Sequence, residues 1–190
     1  MTVQFVPETH SYIVSGVKYP SVTQILKDEG FVDDTWFTEE SRRLGNQVHL
    51  ITRLYDEGTV DEWEFDSAIY PYLEGWKRFL RESGFRPEII ERPYGSTVYR
   101  FAGTPDRIGI LNGDPTLLDI KSGDVQQWVG LQTAGYEILY GRHVGRHGVH
   151  LFDNGRYQLT PFTDRDDRGV FLAALSCWYW KANKFKRRAA

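Results

Sequence analysis

A chain of 190 residues, 41% hydrophobic and 26% charged, has the size and composition of one ordinary globular domain with a real core. Its single cysteine, Cys177, excludes a disulfide framework, a four-cysteine zinc site and a cysteine-held iron–sulfur cluster. The formal charge of −3 neither supports nor excludes a nucleic-acid partner, because such binding needs a local basic channel rather than a basic total.

Along the chain, Tyr12-Ile13-Val14 and Val17-Lys18-Tyr19 alternate around Ser15-Gly16 and predict a small hairpin within Phe5 to Pro20. Ser21 then caps a short helix through about Lys27. From Thr35 to about Tyr55, Trp36, Phe37, Leu44, Val48, Ile51 and Tyr55 recur at a helical period. A second helix is expected from Asp61 to Glu82 on Trp63, Ile69, Leu73, Trp76, Phe79 and Leu80. Pro71 kinks or divides it, and Gly84 and Pro87 mark its end.

The pattern then changes to short β-type runs: Glu88 to Tyr94, Thr97 to Ala102, Pro105 to Leu111 and Thr116 to Lys121. Tyr94-Gly95, Gly103-Thr104 and Asn112-Gly113-Asp114 read as turns, the last as a hairpin. A helix follows from about Val125 to Tyr140, with Val125, Trp128, Val129, Gln132, Tyr136 and Leu139 on one face. Gly148 to Asp153 and Tyr157 to Pro161 flank Asn154-Gly155 as another hairpin. Thr163, with Asp166 three residues on, begins the last helix as a weak capping box, and Cys177 among Leu175, Trp178 and Trp180 is expected to be buried. No repeat or low-complexity linker interrupts the chain. The expectation is a single α/β domain over residues 1–190: hairpin and helices in 1–84, sheet and helix in 85–141, hairpin and helix in 142–190. No apolar run approaches the roughly 20 residues that span a bilayer. The first residues lack a basic region leading into an apolar stretch, so neither a signal peptide nor a membrane partner is expected, and the location is expected to be cytoplasmic.

Gly103-Thr104-Pro105-Asp106 is followed, thirteen positions after Asp106, by Asp119-Ile120-Lys121. Residues two apart in a strand share a face, so Asp119 and Lys121 project together while Leu118 and Ile120 face the other, buried side. A hairpin at Asn112-Gly113 returns Asp106 to the neighbourhood of Asp119. Two carboxylates and a strand carbonyl make an oxygen-rich pocket suited to Mg²⁺ or Mn²⁺. A lysine beside them orients or helps deprotonate an attacking water, or stabilises charge on a phosphate.

These residues resemble the PD-(D/E)xK nuclease superfamily, in its RecB-like and lambda-exonuclease-like branch, and the resemblance spans roughly residues 10 to 140. Gly45-Asn-Gln-Val-His49 is similar to the branch's upstream histidine motif, Glu91 takes the place of its upstream glutamate, and Gln132-Thr-Ala-Gly-Tyr136 is similar to its Gln-x-x-x-Tyr motif. The run His10-Ser-Tyr12, Gly16 and Pro20-Ser-Val-Thr23 is similar to the N-terminal segment of small viral and mitochondrial exonucleases of this branch. The resemblance implies a restriction-endonuclease-like core, a mixed twisted β-sheet flanked by helices. It implies a metal-dependent DNA exonuclease in recombination, replication or repair, with DNA and a recombination or replication protein as partners, in the host cytoplasm if viral. Asp106 and Asp119 would ligate the metal with the Ile120 carbonyl, and His49 would add an imidazole ligand or contact the site. Lys121 would be the catalytic lysine, with Glu91 at the edge of the metal site. Gln132 and Tyr136 would support Lys121 or hold the DNA backbone.

Asp119 stands where the superfamily more often has glutamate, and no phosphate-binding Gly-x-x-x-x-Gly-Lys-Ser/Thr element is present, so no motor activity is expected. Arg142 and Arg146 are candidates for the DNA backbone. The tail Lys181, Lys184, Lys186, Arg187 and Arg188 either adds affinity for phosphate or is a solvated end. His143, His147 and His150 read as a loop, with Gly145 and Gly148 breaking any helix that would align them on a metal. Asp164, Asp166 and Asp167 suit a helix N-terminus. Tyr94, Tyr99 and Phe101 either pack in the core or stack on bases.

Overall fold

The computed structural model describes residues 2–9, 11–32, 38–61, 65–123 and 126–186. His10, Trp36, Phe37, Trp63, Val125, Arg187 and Arg188, and the side chain of Lys186, lie outside the described residues.

Three strands open the chain. The expected hairpin is β2 (Ser11–Val14) and β3 (Val17–Tyr19), joined at Ser15 and Gly16, both with positive φ. A further strand, β1 (Val3–Val6), pairs with β2. Ser21 caps α1 (Val22–Asp28), its hydroxyl accepting the Gln24 N–H. The next helix, α2 (Glu39–Asp56), begins at a Thr38 cap, and the expected start at Thr35 lies outside the described residues. The second expected helix is shorter at its start. A 3₁₀ turn over Ser67–Ile69 precedes α3 (Tyr70–Ser83), and Pro71 sits in the first turn, where its missing N–H costs nothing. Gly84 ends α3 in the left-handed conformation.

The central sheet holds β4 (Arg86–Ile90), β7 (Arg107–Leu111), β8 (Asp114–Lys121), β9 (Gly145–Leu151) and β10 (Tyr157–Pro161), in the order β10-β9-β8-β7-β4. Asn112 and Gly113, both at positive φ, close the β7–β8 hairpin as their sequence requires. The pair β8–β9 is parallel and the other neighbours antiparallel, so α4 (Trp128–Tyr140) is the crossover between β8 and β9. The fold is therefore α/β with a mixed sheet flanked by helices.

Tyr94-Gly95 is strand rather than turn. It belongs to β5 (Tyr94–Ser96), which pairs with β6 (Phe101–Gly103) in a separate ribbon. The glycine answers a close approach: a Cβ there would lie 2.6 Å from Val14 Cγ2 of the N-terminal sheet. The last helix, α5 (Asp167–Lys186), starts four residues after Thr163, and the Asp164 carboxylate, not the Thr163 hydroxyl, receives the Asp166 N–H.

Both faces of the sheet are covered. Leu117 and Ile108 pack with Val22, Tyr136 and Phe171 under α1, α4 and α5. Leu118 and Ile120 pack with Val48, Trp76 and Phe79 under α2 and α3. Residues from Val129 to Leu139 of α4 are all buried, so its expected apolar stripe is a helix enclosed on every side. On α5, Phe171, Ala174 and Leu175 face the core, and Cys177 falls on the exposed side, contrary to the expected burial. No helix among the described residues is long and apolar enough to cross a membrane.

Candidate active site

The sheet's pairing runs out at one corner. The β7–β8 register begins at Arg107 opposite Leu118, so Asp119, Ile120 and Lys121 continue β8 past the end of β7. Asp106, immediately before β7, fills that gap: its Oδ2 accepts the Ile120 N–H at 2.7 Å. A residue's N–H and C=O leave a strand on the same edge. The Ile120 carbonyl therefore lies on the edge occupied by Asp106.

Asp119 is 1% exposed, and Lys121 Nζ lies 2.5 Å from its Oδ2. Burial and the neighbouring Asp106 push the Asp119 carboxyl up to about 6, against the opposing pull of Lys121. Burial disfavours the Lys121 ammonium, but Asp119 and Asp106 outweigh it and raise its pKa, so the lysine stays charged.

Helix α2 brings His49 and Arg53, one turn apart, to the same corner. His49 Nδ1 is 3.5 Å from Asp106 Oδ1, and Arg53 Nη1 donates to Glu91 Oε2 at 3.3 Å. Glu91 was expected on the strand; it lies one residue beyond β4, at φ +43°, where its N–H donates to the Asp106 carbonyl at 3.0 Å. Burial raises the Glu91 carboxyl, helped by Asp106 and opposed by Arg107, His49 and Arg53. Glu91, His49, Arg53, Asp106, Thr104 and Tyr136 line one cleft of about 490 Å³.

From α4, the Gln132 amide donates to the Tyr136 hydroxyl at 3.0 Å, and Lys121 Nζ approaches Gln132 Oε1 at 3.5 Å. A buried amide needs such partners. Burial, with the field of Asp119 and Asp106, pushes the Tyr136 phenol well above its ordinary value and keeps it protonated. Gly103 allows the Tyr136 ring close, since a Cβ there would lie 2.7 Å from its Cε1.

Other expected contacts are placed elsewhere. Arg146 is buried, its guanidinium donating to the Gly130 and Asp164 carbonyls and to Asp167, so it ties α4 to the start of α5 rather than facing solvent. Arg142 is exposed beyond the end of α4. The expected histidine loop is largely strand: His147 and His150 lie on β9, and His143 contacts Glu137 at 2.7 Å. Phe101 is core, Tyr94 is partly buried edge-to-face with Tyr140, and Tyr99 is exposed.

Two side chains at this corner carried no sequence signal. Arg107 and Asp56 form a buried pair at 2.6 Å, and Arg107 Nη1 also donates to the Asp106 carbonyl at 2.7 Å. Their 51-residue separation leaves no local pattern to read.

Among the described residues no three His, Cys, Asp or Glu side chains close round a metal by themselves. The donor set nonetheless suits a hard divalent ion. Mg²⁺ is commonly held by one or two carboxylates, with water and substrate phosphate completing the shell. Asp106 and Asp119 supply two carboxylates at this corner, and burial, with the charge of Asp106, holds the Asp119 carboxyl above its ordinary value, a cost that a cation would relieve.

No family model and no curated protein matches the chain. Among solved structures it is similar to an alkaline exonuclease, LHK-Exo, from Laribacter hongkongensis. Identity is 16%, over 90% of this chain and 95% of that one, with a TM-score of 0.41. The same values hold for LHK-Exo in complex with dAMP. A third structure, SSO0001, is 15% identical over 80% of this chain and 82% of that one, with a TM-score of 0.35.

Proposed function

We propose that the chain is a metal-dependent DNA nuclease of the PD-(D/E)xK type, acting as an exonuclease from a DNA end. The observation that carries the reading is the corner where Asp106 meets the Ile120 N–H and Asp119 stands beside Lys121. Asp106, Asp119 and the Ile120 carbonyl would hold Mg²⁺ or Mn²⁺, with His49 against Asp106. Such an ion, when bound, activates a water and neutralises charge on the scissile phosphate.

The chain's own residues do the rest. Lys121, held charged, faces the attacked phosphate and stabilises the negative charge that grows on its oxygens. Gln132 limits where the Lys121 ammonium can sit, and the Tyr136 hydroxyl braces Gln132. Glu91, at the rim, steadies water entering the cleft, and Arg53 beside it supplies a cation to the DNA backbone. Arg142, exposed, is a further backbone contact. A replication or recombination protein that delivers DNA ends is the corresponding partner.

The test is digestion of end-labelled linear DNA and closed circular DNA with Mg²⁺, Mn²⁺ or EDTA, comparing wild type with Lys121→Ala. Loss of linear DNA alone, dependent on metal and on Lys121, is the expected result. Cutting of circles makes the enzyme an endonuclease of the same chemistry. Metal-independent retention of DNA without cutting makes it a binding module and overturns the reading.

A further inference from the structure

Beneath the cleft lies an ion pair that the chemistry above does not use. Arg107 is wholly buried and Asp56 is 1% exposed, and Arg107 Nε meets Asp56 Oδ2 at 2.6 Å. Two charges so far from water are costlier than apolar packing of the same volume, so their presence calls for a use. The remaining contacts indicate one. Trp76 Nε1 donates to the other Asp56 oxygen at 2.9 Å, and the Trp76 ring lies 5.6 Å from the guanidinium, so the pair is held on two sides. Arg107 Nη2 approaches the Thr52 hydroxyl at 3.5 Å, and Nη1 lies 3.7 Å from Glu91 Oε1 while donating to the Asp106 carbonyl at 2.7 Å.

Thr52 and Asp56 are one turn apart on α2, the helix that also carries His49 and Arg53. One planar guanidinium therefore connects the rotation of α2 to the backbone of Asp106. The Asp106 carbonyl is pinned by Arg107 and by the Glu91 N–H, and its carboxylate by the Ile120 N–H. We propose that Asp56 and Arg107 form a positioning pair that fixes the Asp106 carboxylate and turns His49 toward it before any cation arrives. The proposal rests on the nuclease reading only in taking Asp106 as a metal ligand.

The experiment compares wild type with Asp56→Asn/Arg107→Met and with Arg107→Lys. The double variant removes both charges while leaving an acceptor for Trp76 Nε1, so no buried charge is stranded. The lysine variant keeps the charge, but a single ammonium does not reproduce the planar fork that serves Asp56 and Asp106 together. Three quantities are measured: Mn²⁺ affinity from the paramagnetic resonance of free Mn²⁺, the ¹⁵N shift of the His49 ring without metal, and thermal unfolding in EDTA. The expected result is folded protein whose Mn²⁺ affinity is weakened about 10- to 100-fold and whose His49 signal has moved. Wild-type Mn²⁺ affinity with an unmoved His49 signal overturns the proposal, whatever the change in Tm, because the pair is then structural only. If the wild type itself binds no Mn²⁺ and cuts no DNA, the nuclease reading falls separately. The positioning claim is then decided by the His49 signal alone.

Discussion

Replacing Asp119 by Asn isolates the electrostatic cost of the corner. Burial and the nearby Asp106 carboxylate hold the folded carboxyl up at about 6, above the ordinary 3.8 of an aspartate, so between those pH values the folded protein holds a proton that the unfolded chain has released. Stability from this group is fully present below about 3.8 and is lost as pH rises through about 6. The two-unit difference corresponds to about 3 kcal/mol, since each unit is worth about 1.4 kcal/mol. For a chain of this length that is roughly 6 to 12 °C in Tm. Asn mimics the protonated acid at every pH. In EDTA, Asp119→Asn is therefore expected to match wild type near pH 4 and to exceed it increasingly up to about pH 7. Adding Mn²⁺ at pH 7.5 should raise the Tm of wild type and leave the variant unmoved. Differential scanning fluorimetry over pH 4 to 8 reads both effects. A difference between wild type and variant that does not change with pH refutes the reasoning, because it leaves Asp119 without the strain assigned to it.

Gln132→Leu removes the amide between Lys121 and Tyr136, and DNA cutting should fall about tenfold or more with Mn²⁺ affinity retained, read by single-turnover digestion and Mn²⁺ titration. Gly103→Ala drives a methyl to 2.7 Å from the Tyr136 ring and 3.1 Å from Val22, an overpacking expected to cost about 1–3 kcal/mol in chemical denaturation. Arg146→Ala strands Asp167 beside Glu137 and should cost about 3–5 kcal/mol of stability, while DNA affinity of the folded fraction stays at the wild-type level. Cys177, exposed on α5, should react with a thiol reagent in the native protein at a rate unchanged by mild denaturant.

What the sequence revealed of this corner followed from local chemistry. Asn112-Gly113 closes a hairpin because both residues accept positive φ, and that turn brings Asp106 back beside Ile120. The two-residue period of β8 then decides which of its residues join each core. Where sequence reading went astray, a distant neighbour had decided. Gly95 looked like a turn residue because glycine is permissive, yet it is required by Val14 pressing on β5 from another sheet. Cys177 looked buried among aromatics, but α5 presents Phe171, Ala174 and Leu175 to the core, and a cysteine two places after Leu175 points away from that face. Arg146 looked like a free cation because its partners, Asp164 and Asp167, lie 18 and 21 residues further on, and the sequence places that helix start without saying what it packs against.

The position of the corner follows from the sheet having two covered faces. Leu117 belongs to the core under α1, α4 and α5, whereas Leu118 and Ile120 belong to the core under α2 and α3. Asp119 and Lys121 continue the Leu117 side of the strand and so are turned toward α4, where Gln132 and Tyr136 meet them. His49 and Arg53 come instead from α2, which covers the opposite face. Residues from the two sides can meet only where no strand separates them, and that place is the open edge of β8 beyond Leu118. Asp106 occupies this gap and touches both groups: Ile120 through its Oδ2 and His49 at its Oδ1. Its geometry consequently depends on both cores, which explains why a charge pair buried under α2 and α3 bears on a carboxylate at the mouth of the cleft.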